Sequence, residues 1–97
     1  MGYVRTEITI SGLLKSEVDE GIGDLQTEFS NRPWLLSPTM TWEGNLFVVT
    51  IDCDGRDPKL SGLATLDEVW DCIIACLRCS TDLHFEVRRS EFFEGGC

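Results

Sequence analysis

Hydrophobic and polar residues alternate over residues 3–11, which is the pattern of a strand with one buried and one exposed face. The side chains predicted to point inwards are those of Val4, Thr6, Ile8 and Ile10. The side chains predicted to point outwards are those of Arg5, Glu7 and Thr9. Gly12 follows this pattern, and we expect the strand to end there.

A hairpin is predicted in the middle of the chain. Residues 39–43 and 46–53 have strand patterns, and the Gly-Asn pair between them suits a two-residue turn of type II′, which requires glycine first. This turn places Trp42 opposite Phe47. Because Pro38 has no backbone N–H, we expect the first strand of the hairpin to lie at an edge of its sheet.

Two amphipathic helices are predicted. Residues 17–30 place their apolar side chains on one helical stripe, and Ser16 is the predicted N-cap of this helix. The members of the stripe are Val18, Ile22, Leu25 and Phe29. A second helix is predicted to begin at Thr65, because Thr65 and Glu68 form a capping box. Residues 54–64, which precede it, are predicted to be a loop.

The last strand is predicted over residues 82–89, where apolar and polar residues alternate again. In this strand His84, Glu86 and Arg88 face one way, and the apolar residues between them face the other. We expect an ordered core over about residues 3–90 and an unpaired tail over residues 91–97. The chain, residues 1–97, is thus predicted to form a single domain.

These elements follow one another as strand, helix, strand, strand, helix, strand. Because each helix has one apolar side, we predict an α+β domain in which two helices cover one face of a four-stranded antiparallel sheet and leave the other open. Right-handed connections then give the strand order 4-1-3-2. The arrangement resembles the ferredoxin-like fold. That fold carries many unrelated functions, so the resemblance implies no particular activity.

The chain carries 17 acidic and 8 basic residues, a formal net charge of −9 at pH 7. This charge repels nucleic-acid phosphates and anionic lipid headgroups, so neither a nucleic acid nor a membrane is predicted as a partner. No apolar run approaches the ~20 residues of a membrane-spanning helix. Five cysteines, an odd number, with no secretory segment before the first strand, favour reduced thiols and a cytoplasmic location.

Three cysteines, Cys72, Cys76 and Cys79, share one shoulder of the second helix, because their spacing follows helical steps of four and three. The spacing C-x3-C-x2-C resembles the cluster-binding triad of radical SAM enzymes, in which the cysteines lie in a loop of a larger barrel. A fourth ligand, Cys53 or His84, would complete a tetrahedral zinc site. Because Cys72 and Cys76 also stand where the helix needs apolar side chains, we predict core packing and no cofactor, with a metal site as the alternative.

The open face of the predicted sheet is the candidate site. As a ligand or interface surface it would present Arg5, Glu7, Thr50, His84, Glu86 and Arg88. Leu46 and Val48 would add an apolar patch, and His84 is the only histidine of the chain. The sequence has no glycine-rich phosphate loop and no recognisable catalytic motif. It therefore predicts a binding surface rather than a catalytic centre.

Four functions remain open at this point. The prediction is a non-enzymatic binding or regulatory module that forms a homodimer through its open sheet face, a mode of pairing that the ferredoxin-like resemblance implies. The first alternative is a small enzyme that uses His84 and Glu86. The second is an acidic protein of the decoy or immunity type that blocks a basic protein partner. The third is metal binding by the cysteines.

Overall fold

The computed structural model describes residues 2–77 and 82–94. Its strands and helices follow one another in the predicted order β-α-β-β-α-β. Their bounds are β1 Gly2–Ser11, α1 Lys15–Ser30, β2 Thr39–Glu43, β3 Leu46–Asp54, α2 Pro58–Cys76 and β4 His84–Glu94. Within the described residues, neither helix combines the length and the apolar character needed to cross a bilayer.

The four strands form one antiparallel sheet in which β1 lies between β3 and β4, and β2 pairs with β3. The order is β2-β3-β1-β4 from one edge, and the same sheet gives 4-1-3-2 when it is taken from the other edge. The hairpin register is confirmed, because Trp42 lies opposite Phe47. Gly44 has a φ of 59°, a left-handed value that glycine adopts without strain, as the first position of the predicted turn requires.

The hydrophobic core lies between one face of the sheet and both helices. The four inward side chains predicted for β1 are all buried completely. From α1 the core takes Val18, Leu25 and Phe29, and from α2 it takes Val69, Cys72 and Ile73. Because both helices contribute to one cluster on one side of the sheet, the opposite face of the sheet is left without a covering layer.

Helix α2 begins at Pro58 and not at Thr65, so the predicted loop is limited to residues 55–57 and the predicted capping box at Thr65 is wrong. The Asp57 side chain accepts the backbone N–H of Lys59 at 3.0 Å, which caps the helix. Pro58 fits the first helical position, where the N–H that proline lacks would have no helical partner. Thr65 is buried inside the helix, with its hydroxyl 3.4 Å from the Cys53 sulfur.

Helix α1 also begins earlier than predicted. Its N-cap residue is Leu14, and Ser16, the predicted cap, lies within the first turn. The Glu17 carboxylate accepts the backbone N–H of Leu14 at 3.0 Å. A glutamate in the first turn can satisfy a free N–H at a helix start without a serine or threonine cap, and local sequence alone does not distinguish these two signals.

Strand β4 continues to Glu94, so residues 91–94 of the predicted tail are paired with the beginning of β1. The β1–β4 register shifts between Glu7 and Ile8, which inserts one extra residue into β4. Beyond this bulge the inward positions change from odd to even numbers, and Ser90 and Phe92 lie on the core side. Residues 95–97 lie outside the described part of the chain.

The start of α2 is fixed to the sheet by a buried hydroxyl pair. The Ser90 hydroxyl donates to the Pro58 carbonyl at 2.6 Å and lies 3.2 Å from the hydroxyl of Thr6. Gly62 faces the same point, where a Cβ would stand 3.0 Å from the Ser90 oxygen. The absence of a side chain at Gly62 therefore lets α2 approach β4 closely.

The cap assignment predicts different costs for two alanine substitutions. Asp57→Ala removes the oxygen that caps α2, and we expect it to lower the free energy of unfolding by about 1 kcal/mol. Ser16→Ala removes a hydroxyl that caps nothing, and we expect a change within about 0.5 kcal/mol. Urea unfolding of both variants measures these costs. A larger loss for Ser16→Ala than for Asp57→Ala would show that the caps are assigned wrongly.

Candidate functional site

The face of the sheet away from the helices carries the six residues predicted for the candidate surface. Glu7 lies opposite Thr50, and Arg5 lies opposite Asp52, on the paired strands β1 and β3. His84 lies opposite Ser11. Glu86 and Arg88 follow on β4, and the side chain of Arg88 turns back over the sheet towards β1. The structure thus brings these residues onto one face, but it arranges them mainly in ion pairs.

Arg88 crosses this face from one edge strand to the other. Its Nε donates to Glu7 Oε1 at 3.0 Å, and its Nη1 and Nη2 donate to the two carboxylate oxygens of Glu43 at 2.7 and 2.8 Å. Glu43 ends β2, whereas Arg88 lies on β4, so the guanidinium spans β1 and β3. Glu43 was missed by the sequence analysis, although alternation along β2 from Thr39 already puts it on this face.

The ion pairs change the character of the face. Val48, predicted to form an apolar patch, is 2% exposed, and its strand partner Thr9 is 6% exposed. Both stand on the two central strands that Arg88 spans. The predicted patch is therefore wrong for Val48, which is buried although the strand pattern alone places it on the open face.

The pKa of the Glu43 carboxyl is lowered, first by the hydrogen bonds from Arg88 and then by its positive charge. The pKa of Arg88 is raised by the same contacts with Glu43 and Glu7. A carboxyl with a lowered pKa stabilises the folded state above its unfolded pKa, near 4.5. That stabilisation is lost as the pH falls through the lower pKa of the folded state. The bridge thus weakens on acidification.

A second ion pair closes the other end of the face. Arg5 donates from Nε and Nη2 to the two Asp52 oxygens at 2.8 and 3.0 Å, and these bonds raise the pKa of Arg5. The guanidinium carbon also lies 5.4 Å from the centre of the Phe93 ring, which stacks on Tyr3. A shallow cleft of about 310 Å³ borders this pair. Because the Arg5 guanidinium already binds the Asp52 carboxylate, it is not free to bind an incoming anion.

His84 and Glu86 are exposed on β4, opposite Ser11 and Thr9 of β1. Histidine catalysis needs a partner that orients the ring, and His84 has no side-chain hydrogen bond to another described residue. The side chain of His84 does not line any of the clefts described in this section.

Of the described cysteines, Cys72 and Cys76 lie on α2 and Cys53 lies on β3. Cys72 is buried in the core, Cys76 and Cys53 are partly buried, and Cys79 lies outside the described residues. Burial raises the pKa of each of the three described thiols. Zinc requires thiolates, which a raised pKa disfavours. Across residues 2–77 and 82–94 no three acidic, histidine or cysteine side chains are grouped to hold a metal ion.

A cleft of about 460 Å³ lies between the end of α1 and the segment that leads into β2. Its wall includes Arg32, which donates to Glu68 at 2.7 Å and thereby ties α1 to α2. The Nε of Arg32 and the Nε1 of Trp34 are both buried without a hydrogen-bond partner among the described residues. The sequence analysis did not identify this cleft, because its lining residues, all within 26–40, form no recognisable local motif.

Helix α2 presents a row of exposed apolar side chains to solvent. This row, called here the α2 apolar stripe, consists of Leu60, Leu63, Trp70 and Ile74. The sequence analysis missed it because it began the helix at Thr65, which left Leu60 and Leu63 in a predicted loop. Trp70 is nearly half exposed, with one ring face stacked on Phe85 at 4.7 Å.

Comparisons of the chain with protein-family models, with curated proteins and with solved structures found no match. Function therefore has to be inferred from the surfaces described above. Of these, the sheet face is held by internal ion pairs, whereas the side chains of the α2 apolar stripe remain largely exposed, with one face of the Trp70 ring stacked on Phe85.

The Arg88 bridge predicts a change in the titration of one carboxyl. Arg88→Gln removes the charge and the bidentate contact, and we expect the pKa of Glu43 to rise towards its ordinary value. NMR titration of the side-chain carboxyl carbons measures this pKa directly. Arg89→Gln is the matched control, because Arg89 pairs with Glu91 at 3.2 Å instead. An equal shift of the Glu43 pKa in both variants would contradict the bridge.

Proposed function

We propose that the chain is a non-enzymatic binding or regulatory module that works by associating with protein, in the first place with a second copy of itself. The observation that carries this proposal is the α2 apolar stripe, an exposed apolar row on an otherwise acidic chain. The β-α-β-β-α-β order and antiparallel sheet suit a ferredoxin-like module, a fold that itself specifies no chemistry.

The size of the stripe supports a contact surface. The exposed part of its four side chains is on the order of 400 Å², comparable to the largest apolar patch of an average monomer, which is often functional. Leaving such an area in water forgoes stabilisation of about 25 cal/mol per Å². Single exposed apolar residues need no explanation, but the four of the stripe lie on one side of one helix, where one partner can cover them together, with the exposed Asp67 between Leu63 and Trp70.

The open sheet face, which the sequence analysis favoured as the dimer interface, is the weaker candidate for this contact. Arg88 is bound to Glu7 and Glu43, and Arg5 is bound to Asp52. A partner that covers these pairs must remove water from several charges, and this desolvation can exceed the attraction gained. The apolar stripe has no such cost, so we place the contact on α2.

A basic protein partner is the second candidate. Helix α1 supports it, since its solvent side carries most of the acidic residues of the two helices: Glu17, Asp19, Glu20, Asp24 and Glu28. Such a surface attracts basic proteins at low ionic strength. The cytoplasmic location suggested by the odd cysteine number remains a prediction that accompanies either candidate.

Sedimentation velocity over a range of concentrations tests the proposal. We expect the unmodified chain to shift from monomer to dimer, and the double variant Leu60→Glu/Leu63→Glu to dissociate at least ~10-fold more readily, because buried carboxylates replace apolar contacts. The matched control is Leu35→Glu/Leu36→Glu. The native exposures correspond, at 66% and 52% for Leu60 and Leu63 against 64% and 51% for Leu36 and Leu35.

The control pair lies beside β2, away from α2, so it adds the same charges without touching the stripe. Equal association of both double variants and the unmodified chain would exclude the stripe. A chain that stays monomeric at every concentration would remove self-association altogether.

A further inference from the structure

The two edges of the sheet differ in how open they are to another strand. At the β2 edge, Leu35 donates its N–H to Asp52 at 2.9 Å, but residues 36–38 then leave the sheet before β2 begins at Thr39. Pro38 lies in this interruption and has no N–H to offer. A short strand next to a proline and an irregular segment is a typical protection of an edge against pairing.

The β4 edge has less protection. Strand β4 is 11 residues long, contains no proline and pairs on one side only, with β1. The bulge at Arg88 divides it into two regular runs, residues 84–87 and 89–94, whose outer backbone groups pair with no other strand among the described residues. Unpaired N–H and C=O groups in an extended row are a template for a further strand.

The α2 apolar stripe runs beside this same edge. Gly62 of α2 approaches Ser90 and Val87 of β4, and Trp70 stacks on Phe85 of β4. Phe92, which is also partly exposed, extends the apolar surface along the strand. The inward side chains of a strand added to β4, or a helix packed on that added strand, would therefore contact the stripe. Edge and stripe form one composite surface.

The charge distribution favours a second copy at this surface despite the net charge of −9. The acidic side of α1 is separated from β4 by α2, which packs against both. On β4 itself, Glu86, Glu91 and Glu94 alternate with Arg88 and Arg89. Two copies that approach through β4 thus keep their most acidic surfaces apart by more than the Debye length of about 8 Å at physiological ionic strength.

We infer that two copies of this chain pair antiparallel through β4, so that their four-stranded sheets join into one sheet of eight strands, with the α2 apolar stripes meeting across the junction. An antiparallel pair of identical strands has two-fold symmetry, so each copy uses the same residues and the assembly closes as a dimer. The stripe alone provides about half of the ~800 Å² per partner that a stable interface buries, and the added strand supplies the rest. This inference rests on the self-association proposed above.

Amide hydrogen exchange of the full chain, measured by NMR below and above the concentration at which dimers form, tests the pairing. We expect the outward amides of residues 84–87 and 89–94 to exchange at least about tenfold more slowly in the dimer, because new backbone hydrogen bonds protect them. The amides of the β2 edge, residues 39–43, provide the control within the same sample. Their exchange is expected to stay unchanged.

The outcomes separate this inference from the proposed function. A dimer whose β4 amides gain no protection, or whose β2 amides gain it instead, would overturn the pairing through β4 while self-association stands. A chain that remains monomeric would overturn both, and binding of a polylysine probe by that monomer would then identify a basic partner in place of a second copy. Protection of β4 that is lost in Leu60→Glu/Leu63→Glu, but kept in Leu35→Glu/Leu36→Glu, would establish the composite surface.

Discussion

The burial of one side of β1 is the constraint on which the rest of the molecule depends. β1 pairs with β3 on one side and with β4 on the other, and its inward side chains are completely removed from water. The helices cover this row, so one hydrophobic cluster holds the whole described chain together. Thr6 is the only polar member of the row, and its hydroxyl pairs with Ser90, which also bonds the first carbonyl of α2. The central strand thereby fixes where α2 begins and how close it lies to β4.

The two sides of the sheet have opposite chemistry, and this contrast decides where a partner can bind. On the open side, long charged side chains satisfy one another across the strands, as Arg88 does with Glu7 and Glu43. These charged groups are therefore already paired with one another and are less available to a ligand or a second subunit. On the helix side, α2 packs closely on β4, and the side of α2 that remains exposed carries the α2 apolar stripe. This contrast is the reason why the proposed association is placed at the β4 edge and not on the open face of the sheet.

Much of the fold could be predicted because it depends on local periodicity. The alternation along β1 and the apolar stripe of α1 each indicate which side of the element is buried, and the turn at Gly44 sets the register of the hairpin. Together these patterns are enough to place both helices on one side of the sheet. The start of α2 could not be predicted with the same security, because Asp57 and Thr65 are both good caps in sequence. The choice between them depends on Thr65 being needed in the core, beside Cys53, which is a matter of tertiary packing.

By itself the sequence determined the elements, their layer arrangement and the acidic character of the chain, since strand and helix periods and formal charges are properties of neighbouring residues. The tertiary structure decided which polar side chains meet and which apolar ones remain outside. Arg88 reaches Glu43 across two intervening strands, and Leu60 joins Trp70 on one flank only once α2 has its full length. Contacts of this kind join residues far apart in the chain, and their geometry is set by the packing of whole elements. No local pattern encodes it.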